Sequence, residues 1–310
     1  MKICVVGGTG LVGAALVKAY KEMGYDTVSI SKRDVDLTLE QPSREMIERI
    51  KPTILVIAAA VVGGIGANNK KPVEFLVQNL KIQNNLMQAA HYVGVKKVIF
   101  LGSSCIYPRD CAQPIKEEYL LTGILEETNS AYAIAKIAGI ELIKSYRKEY
   151  GNSWISLMPT NLYGPGDNFA REGSHVLPAL IRKFVDGERE NSKTVELWGD
   201  GSPLREFLHV EDVARAVVLA SKEYDEGLHL NIGSGEEISI KDLALIIAEL
   251  SGFKGGVTWD MSRPNGTPRK VLDSSRMRSL GWSPKITLKD GIRSTINWYR
   301  EAVVSGKARL

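Results

Sequence analysis

The chain has 310 residues, a formal net charge of +4 at pH 7, and ordinary fractions of apolar (44%) and charged (25%) residues. These values fit one large soluble α/β unit or two closely joined domains, and no basic block interleaved with aromatics indicates nucleic-acid binding. The longest apolar run, Ile54 to Ala67, is too short for a membrane span. Three cysteines without paired spacing favour free thiols and a reducing, cytoplasmic location.

The N-terminal segment has the pattern of a dinucleotide-binding turn. A short apolar strand, Lys2 to Val6, precedes a glycine-rich run and a helical apolar pattern. Such glycines permit the tight turn, the approach of a pyrophosphate and close helix packing, while the helix N-terminus offers N–H groups to the anion. A signal peptide is the alternative interpretation, but glycines interrupt its apolar run. The predicted cofactor contacts are Gly7, Thr9, Gly10, Leu11, Val12 and Gly13.

The end of the second predicted strand, Asp26 to Ile30, indicates which dinucleotide binds. NAD-binding chains usually place a carboxylate there to hold the ribose 2′-hydroxyl. Here Lys32 and Arg33 come first, and the first acid is Asp34. Cations would pair with a 2′-phosphate that a carboxylate would repel. The sequence therefore predicts NADP(H), with solvated loop charges as the alternative.

Strands alternate with helices along the first half of the chain, which predicts a doubly wound parallel sheet of the Rossmann α/β class. The predicted strands lie near 3–6, 27–30, 54–58, 97–101 and 154–158, and the longest predicted helices cover 73–92 and 131–150. Later helices are predicted around 174–186, 239–250 and 288–303. We expect an NADP-binding domain over 1–163, with a return of the chain near 207–231, and a smaller α/β substrate domain over 164–310.

A Tyr and a Lys four residues apart, Tyr132 and Lys136, would share one face of the predicted helix. A neighbouring ammonium favours the phenolate, so we expect Lys136 to lower the pKa of Tyr132. Ser103, after the fourth predicted strand, could hold a carbonyl oxygen near that phenol. This set suits reduction of a ketone beside a nicotinamide, although an exposed helix pair is the alternative interpretation.

Longer motifs run from one end of the chain to the other, at 58–69, 101–108, 132–139, 158–169, 174–176, 205–210 and 266–270. Together these motifs resemble the GDP-L-fucose synthase family of the extended short-chain dehydrogenases/reductases. One departure is Asn265, where that family commonly has Asp.

The resemblance implies a two-part reaction on GDP-4-keto-6-deoxy-D-mannose. C3 and C5 are epimerised, and C4 is then reduced with NADPH to give GDP-L-fucose. Inversion needs a base on one face of the sugar and an acid on the other. The family pattern makes Cys105 the base and His175 the acid, and thiol and imidazole groups both exchange protons near neutrality. Ser103 and Tyr132 would stabilise the enolate between the two transfers.

The same resemblance implies binding residues and an assembly. Arg205 would bind the pyrophosphate, while Trp198 and Lys183 would contact the GDP-sugar. Because the family's dimers pair two helices of each subunit into a four-helix bundle, we expect a homodimer. The further cofactor contacts expected at strand ends and on the helix are Leu101, Gly102, Ser103, Tyr132, Lys136, Pro159, Thr160, Asn161, Leu162 and His175.

Three alternatives stay open at the level of sequence. One is a sugar-nucleotide 4-epimerase or dehydratase with tightly held NAD, against which the cations after the second strand and the Cys105/His175 pair argue. Another is an epimerase/reductase of a different GDP-4-keto sugar, of the colitose or heptose type. The third is a non-catalytic NADP-binding regulator, which would be expected to lose Tyr132 or Lys136.

Overall fold

The computed structural model describes residues 1–263 and 265–310. Its strands are β1 (Lys2–Val6), β2 (Asp26–Ile30), β3 (Ile54–Ile57), β4 (Lys97–Leu101), β5 (Ile155–Pro159), β6 (Asn161–Tyr163), β7 (Thr194–Trp198), β8 (Leu204–His209), β9 (Leu230–Ile232), β10 (Glu237–Ser239), β11 (Gly256–Asp260) and β12 (Arg269–Lys270). Its α-helices are α1 (Leu11–Glu22), α2 (Glu40–Ile50), α3 (Ile65–Lys70), α4 (Pro72–Val93), α5 (Ser130–Tyr150), α6 (Val176–Arg189), α7 (Val210–Glu223), α8 (Ile240–Ser251), α9 (Ser275–Ser279) and α10 (Leu288–Val304).

Six strands form a parallel sheet in the order β2-β1-β3-β4-β5-β9. In β1 the side chains of Ile3 to Val6 are fully buried, because helices cover both faces of the sheet. One core lies between the sheet and α2, α4 and α5, and the other between the sheet and α1 and α7. The predicted Rossmann class is confirmed. Ligands bind such sheets at the carboxyl ends of the strands, near the point where the strand order reverses.

Most predicted boundaries differ from the structure by one or two residues, and two of these differences have local explanations. Strand β5 begins at Ile155, and the preceding Trp154 packs its ring against Tyr146 with 4.6 Å between the ring centroids. Helix α6 begins at Val176, and His175 occupies the N-cap position with extended backbone (φ −74°, ψ 164°) and no capping hydrogen bond from its side chain. The second difference places His175 before the helix, whereas the sequence predicted it within the helical range around 174–186.

The other strands form smaller sheets beside the parallel one. Strand β8 pairs with β6, β10 and β12, and β7 pairs with β11. Helices α6, α8 and α10 supply a third core beneath them. The chain then returns to the large sheet, since α7 packs against α1 and β9 pairs with β5. The domain division at residues 163 and 164 stays a prediction. No helix within the described ranges is both long and apolar enough to cross a bilayer.

A fully buried carboxylate, Glu206, joins the smaller sheet to two distant segments. It accepts hydrogen bonds from the backbone N–H of Gly235 at 2.5 Å and of Leu272 at 3.1 Å. Its own carbonyl oxygen accepts a hydrogen bond from Asn161 Nδ2 at 2.9 Å. Burial raises the pKa of Glu206, and these N–H donors oppose that rise. The Glu206 carboxylate therefore ties strand β8 to the segments that follow β9 and β12.

Candidate active site

The glycine-rich turn lies at the carboxyl end of β1. Gly7 has a positive φ of 84°, and a Cβ there would lie 2.6 Å from the backbone nitrogen of Ala59. A Cβ on Gly13 would collide with the Gly7 carbonyl oxygen, while the Gly10 N–H donates to that oxygen at 2.9 Å. The turn therefore excludes side chains at Gly7 and Gly13 and leaves the amino end of α1 open for a pyrophosphate. Beside Gly10 lie the other predicted contacts of this segment, Thr9, Leu11 and Val12.

Two exposed cations, Lys32 and Arg33, follow β2. The first carboxylate, on Asp34, turns back and accepts hydrogen bonds from Ser31 Oγ at 2.7 Å and Ser31 N–H at 2.8 Å. These two bonds hold the pKa of Asp34 below its usual value. The strand end thus offers cations and an already hydrogen-bonded carboxylate, an arrangement that suits a 2′-phosphate better than a 2′-hydroxyl.

Ser103, Tyr132 and Lys136 meet at the end of β4. Tyr132 and Lys136 lie on one face of α5, and both are buried. Lys136 Nζ donates a hydrogen bond to the Leu101 carbonyl at 2.9 Å, and it lies 5.8 Å from the centroid of the Tyr132 ring. Ser103 lies near enough to Tyr132 to affect its pKa, and the Ser103 Oγ accepts the Cys105 N–H at 3.3 Å. The predicted constellation is therefore assembled by α5 and the β4 terminus.

The expected lowering of the pKa of Tyr132 by Lys136 is wrong for this structure. Burial raises the pKa of Tyr132, a negative charge on Cys105 raises it further, and the hydrogen bond with Ser103 opposes both effects. Burial also lowers the pKa of Lys136 to about 8. A phenol that keeps its proton at neutral pH is suited to donate that proton to an alkoxide, which is what ketone reduction requires.

The remaining predicted cofactor contacts lie at the carboxyl ends of β4 and β5, which share one edge of the sheet. Gly102 N–H donates to the Leu157 carbonyl at 2.9 Å, and Thr160 N–H donates to the Ile232 carbonyl at 3.0 Å. These bonds continue the sheet pairing past the strands and fix the loops at the edge where a ligand would bind. The residues placed at this edge are Leu101, Gly102, Pro159, Thr160, Asn161 and Leu162.

Cys105 and His175 come from different elements, and both are near Lys270. Cys105 lies in a short 3₁₀ turn after β4 and carries a partly exposed free thiol. His175 precedes α6, and its side chain is solvent-accessible. Protein atoms crowded around the ring lower the pKa of His175, and the Lys270 cation lowers it further. The resting imidazole is therefore mainly neutral at pH 7 and must gain a proton before it can act as an acid.

Sequence reasoning gave Lys270 no role, yet it contacts Cys105. Its Nζ lies 3.5 Å from Cys105 Sγ, and its charge also acts on His175. The residue was visible only as part of the run 266–270, 165 positions beyond Cys105. Its register on β12, opposite Arg205 on β8, explains the contact, and no local pattern encodes that register.

Arg205 does not form the ion pair with Glu206 or Asp212 that its sequence neighbours suggest. Its Nη1 donates to the Leu204 carbonyl at 2.8 Å, and among the described residues no carboxylate lies within 4.0 Å of it. Burial lowers the pKa of Arg205, and charge on Cys105 opposes that change. The guanidinium thus keeps N–H donors for an anionic ligand, as a pyrophosphate contact requires.

Trp198 ends β7, and Lys183 reaches that strand from the neighbouring helix α6. Lys183 Nζ donates to the Glu196 carbonyl at 2.7 Å, two residues before Trp198. The indole is 60% exposed, and the Arg263 guanidinium lies 5.0 Å from its ring centroid. An exposed aromatic face beside cations suits a nucleotide base and its phosphates.

Asn265, the departure from the family pattern, holds the loop after Trp198. Its Oδ1 accepts the Asp200 N–H at 2.9 Å, and its side chain also hydrogen-bonds the Asp200 carboxylate, which contributes to lowering the pKa of Asp200. A carboxylate at 265 would instead face that carboxylate with like charge. The presence of Asn rather than Asp at position 265 is therefore explained by the neighbouring Asp200.

The glycine-rich turn, the Ser103–Tyr132–Lys136 set and the parallel sheet define a dinucleotide-dependent oxidoreductase of the short-chain dehydrogenase/reductase type. Residues 3–233 match the model of the NAD dependent epimerase/dehydratase family. This match covers well over half of the chain.

Individual relatives narrow the family. GDP-L-fucose synthase 1 of Arabidopsis thaliana is 50% identical over 303 residues, covering 97% of this chain and 94% of that protein. GDP-L-fucose synthase of Escherichia coli strain K12 is 44% identical, covering 97% of both. A GDP-L-fucose synthetase from Naegleria fowleri, solved bound to NADP, superimposes with a TM-score of 0.91 at 29% identity, covering 100% of this chain and 96% of that one. The chain belongs to the GDP-L-fucose synthase branch of the NAD dependent epimerase/dehydratase family.

Proposed function

We propose that the protein converts GDP-4-keto-6-deoxy-D-mannose to GDP-L-fucose with NADPH, by epimerisation at C3 and C5 followed by reduction at C4. The observation that carries the proposal is the meeting of two kinds of group at one strand end. Ser103 interacts with Tyr132 through its side chain and holds the Cys105 N–H at 3.3 Å. A reductase needs the first two groups, and an epimerase needs the thiol.

The residues present fit NADP(H). The turn at Gly7 and Gly13 has no room for side chains, and Lys32 and Arg33 follow β2 at the position where a 2′-phosphate would lie. When bound, NADPH supplies the hydride that reduces the C4 ketone. The protein's own part is to hold the pyrophosphate at α1 and the 2′-phosphate at the two cations.

Epimerisation follows from the acidity of C3–H and C5–H beside the C4 ketone. The Cys105 thiolate removes one of these protons, and the C–H electron pair moves into the enolate. Ser103 and Tyr132 donate hydrogen bonds to the enolate oxygen, which stabilises the charge that forms there. His175, once protonated, returns a proton to the opposite face and so inverts the carbon.

Reduction uses the same oxyanion donors in a second role. The C4 oxygen gains negative charge as the ketone is reduced, and the Tyr132 hydroxyl gives it a proton. Lys136, held 2.9 Å from the Leu101 carbonyl, stabilises the phenolate that remains. Arg205, Trp198 and Lys183 are proposed to hold the GDP part of the sugar nucleotide while both steps proceed.

The test is incubation with NADPH and GDP-4-keto-6-deoxy-D-mannose, with NMR of the product sugar. We expect GDP-L-fucose together with loss of absorbance at 340 nm. A product that keeps the starting configuration at C3 and C5 would contradict the proposal. If this substrate is not turned over but a GDP-4-keto sugar of the colitose or heptose type is, the alternative substrate applies. A 4-epimerase or dehydratase would leave NADPH unconsumed.

A homodimer in the cytoplasm is part of the proposal. Helices α4 and α5 pack on each other and expose apolar side chains, including Val73 (73% exposed), Val77 (40%) and Ile134 (46%). Pairing these faces in two copies would bury them in a four-helix bundle. Light scattering at micromolar concentration should give twice the chain mass, and a monomer mass would contradict it. Three free cysteines suit a reducing compartment.

A further inference from the structure

Lys270 is the charged residue in direct contact with the proposed base. Its Nζ lies 3.5 Å from Cys105 Sγ, within hydrogen-bonding distance for sulfur. The side chain is half-buried, and β12 pairs in parallel with β8 so that Lys270 lies opposite Arg205. The short two-residue strand therefore brings a cation into contact with the thiol.

The neighbouring residue on β12 shows that this contact is specific. Arg269 forms a bidentate ion pair with Glu237, with both N···O distances 2.6 Å. Alternate residues of a strand point to opposite sides, so Lys270 is turned away from Glu237. Within the described ranges no carboxylate oxygen lies within 4.0 Å of Lys270 Nζ. Glu237 thus neutralises Arg269, whereas Lys270 contacts the Cys105 sulfur.

We propose that Lys270 is a positioning residue for epimerisation, whose ammonium pairs with the Cys105 sulfur and keeps it in the thiolate form that accepts the C3 and C5 protons. This inference rests on the proposed function. An ammonium hydrogen-bonded to sulfur stabilises the thiolate, which is the reactive form of cysteine. After proton transfer the sulfur is a neutral thiol, and the ammonium remains in place for the next cycle.

Other ionisable groups near the Cys105 sulfur also influence its charge. Arg205 on β8 adds a second positive charge, and Tyr132 on α5 is affected by charge on the sulfur. His175 lies within reach of the Lys270 charge, and Cys111, in the following loop, also feels it. Arg205 and Lys270 both place positive charge near the sulfur, and burial keeps the Tyr132 phenol neutral by raising its pKa. Lys270 is the cation that makes the direct contact.

The test measures thiolate reactivity without substrate. Iodoacetamide is uncharged, so removing a cation does not change its attraction to the site. Alkylation of Cys105 in the full-length protein at pH 7 is followed by peptide mass spectrometry, which separates it from Cys4 and Cys111. Lys270→Met should slow alkylation of Cys105 by roughly 3- to 10-fold, as expected when one neighbouring charge is lost. Lys270→Arg should stay near the wild-type rate.

Arg269→Met is the matched control, since it removes a cation of the same strand that is paired with Glu237. It should leave the alkylation rate of Cys105 unchanged. A second readout guards against misfolding: the C2–H signal of His175 should titrate at higher pH in Lys270→Met, because a cation that lowers its pKa is gone. A shift confined to His175 among the four histidines indicates an intact fold.

Two results would overturn the inference. One is an unchanged alkylation rate in Lys270→Met while His175 shifts as expected, and the other is an equal loss in Arg269→Met. If Lys270 only binds the anionic substrate, Lys270→Met raises KM and leaves alkylation of the free protein unchanged. If the protein makes no GDP-L-fucose but alkylation falls as expected, the proposed reaction fails and the Lys270–Cys105 pairing stands.

Discussion

The two halves of the proposed site differ in how firmly they are held. Tyr132 and Lys136 are buried on one face of α5, and Lys136 Nζ donates a hydrogen bond to the Leu101 carbonyl at 2.9 Å. Cys105 and His175 are more exposed, and they come from a short 3₁₀ turn and a helix cap. The phenol and ammonium proposed for reduction are buried, whereas the thiol and imidazole proposed for proton exchange are more exposed.

This difference in burial suits the chemistry proposed for each pair of residues. Reduction needs a phenol that stays protonated until charge develops beside it, and burial provides this by raising the pKa of Tyr132. Epimerisation needs groups that lose and regain protons repeatedly, which contact with water allows. The two activities should therefore be separable by single substitutions, and their pH dependence should differ.

The largest expected effect is on the buried half. Tyr132→Phe removes the proton donor for the C4 alkoxide and leaves Cys105 and His175 in place. NADPH oxidation should fall roughly 10²- to 10⁴-fold, as expected for loss of a general acid. Deuterium from D₂O should still enter C3 or C5, as followed by NMR. If Tyr132→Phe lost deuterium exchange to the same extent as NADPH oxidation, the epimerising and reducing residues would not act independently.

Cys105→Ser should give the opposite pattern. A serine hydroxyl is far too weak a base, so deuterium exchange at C3 and C5 should fall by roughly 10²-fold or more. Hydride transfer to the unepimerised ketone could persist and would give a product with the starting configuration. Fully inverted sugar at the normal rate would show that Cys105 is not the base.

The next largest expected effect is on cofactor selectivity, and it involves neither the Tyr132/Lys136 pair nor the Cys105/His175 pair. Replacing Lys32 and Arg33 with Ala should raise the dissociation constant of NADPH roughly 10- to 100-fold, about 1.4–2.8 kcal/mol. The constant for NADH should change much less, because it lacks the 2′-phosphate. Calorimetry measures both, and Lys21→Ala, at an exposed position on α1, is a matched control. Equal losses for the two cofactors would contradict the assignment.

The pH profile of reduction should reveal Lys136. Burial lowers its pKa to about 8, so the ammonium is present below that pH and is lost above it. With saturating NADPH, kcat/KM for C4 reduction should fall about tenfold per pH unit well above pH 8. Any activity left in Lys136→Arg should lack this limb, because guanidinium stays charged. A wild-type profile that is flat to pH 10 would rule out a role for that charge.

The smallest expected effect lies at the outer end of the cleft. Asn265→Asp places a carboxylate against Asp200, which should loosen the loop beside Trp198. We expect a few-fold rise in KM for the GDP-sugar, with kcat unchanged. The double variant Asn265→Asp, Asp200→Ser removes the repulsion and should restore KM. An unrestored KM would mean that Asn265 acts independently of Asp200.

Sequence alone predicted the parts that depend on local order. The glycine run, the strand alternation and the spacing of Tyr132 and Lys136 encode the sheet, the turn and one face of α5, and the structure confirms those elements. The predicted lowering of the Tyr132 pKa was wrong, because burial raises that pKa. Helical spacing shows which groups are near each other but not how deeply they are buried. The contact of Lys270 with Cys105 was missed, because 165 residues and the register of β12 on β8 separate them.

The buried carboxylate of Glu206 has a consequence for how the chain closes. It ties together segments 29 and 66 residues further along, at Gly235 and Leu272, so each hydrogen bond closes a long loop. Leu272 lies two residues beyond Lys270, and the hydrogen bond from its N–H to Glu206 helps to offset the entropy lost when this segment folds back near Cys105. Weakening that bond at Glu206 should therefore loosen the contact between Lys270 and Cys105, about a hundred residues earlier in the chain.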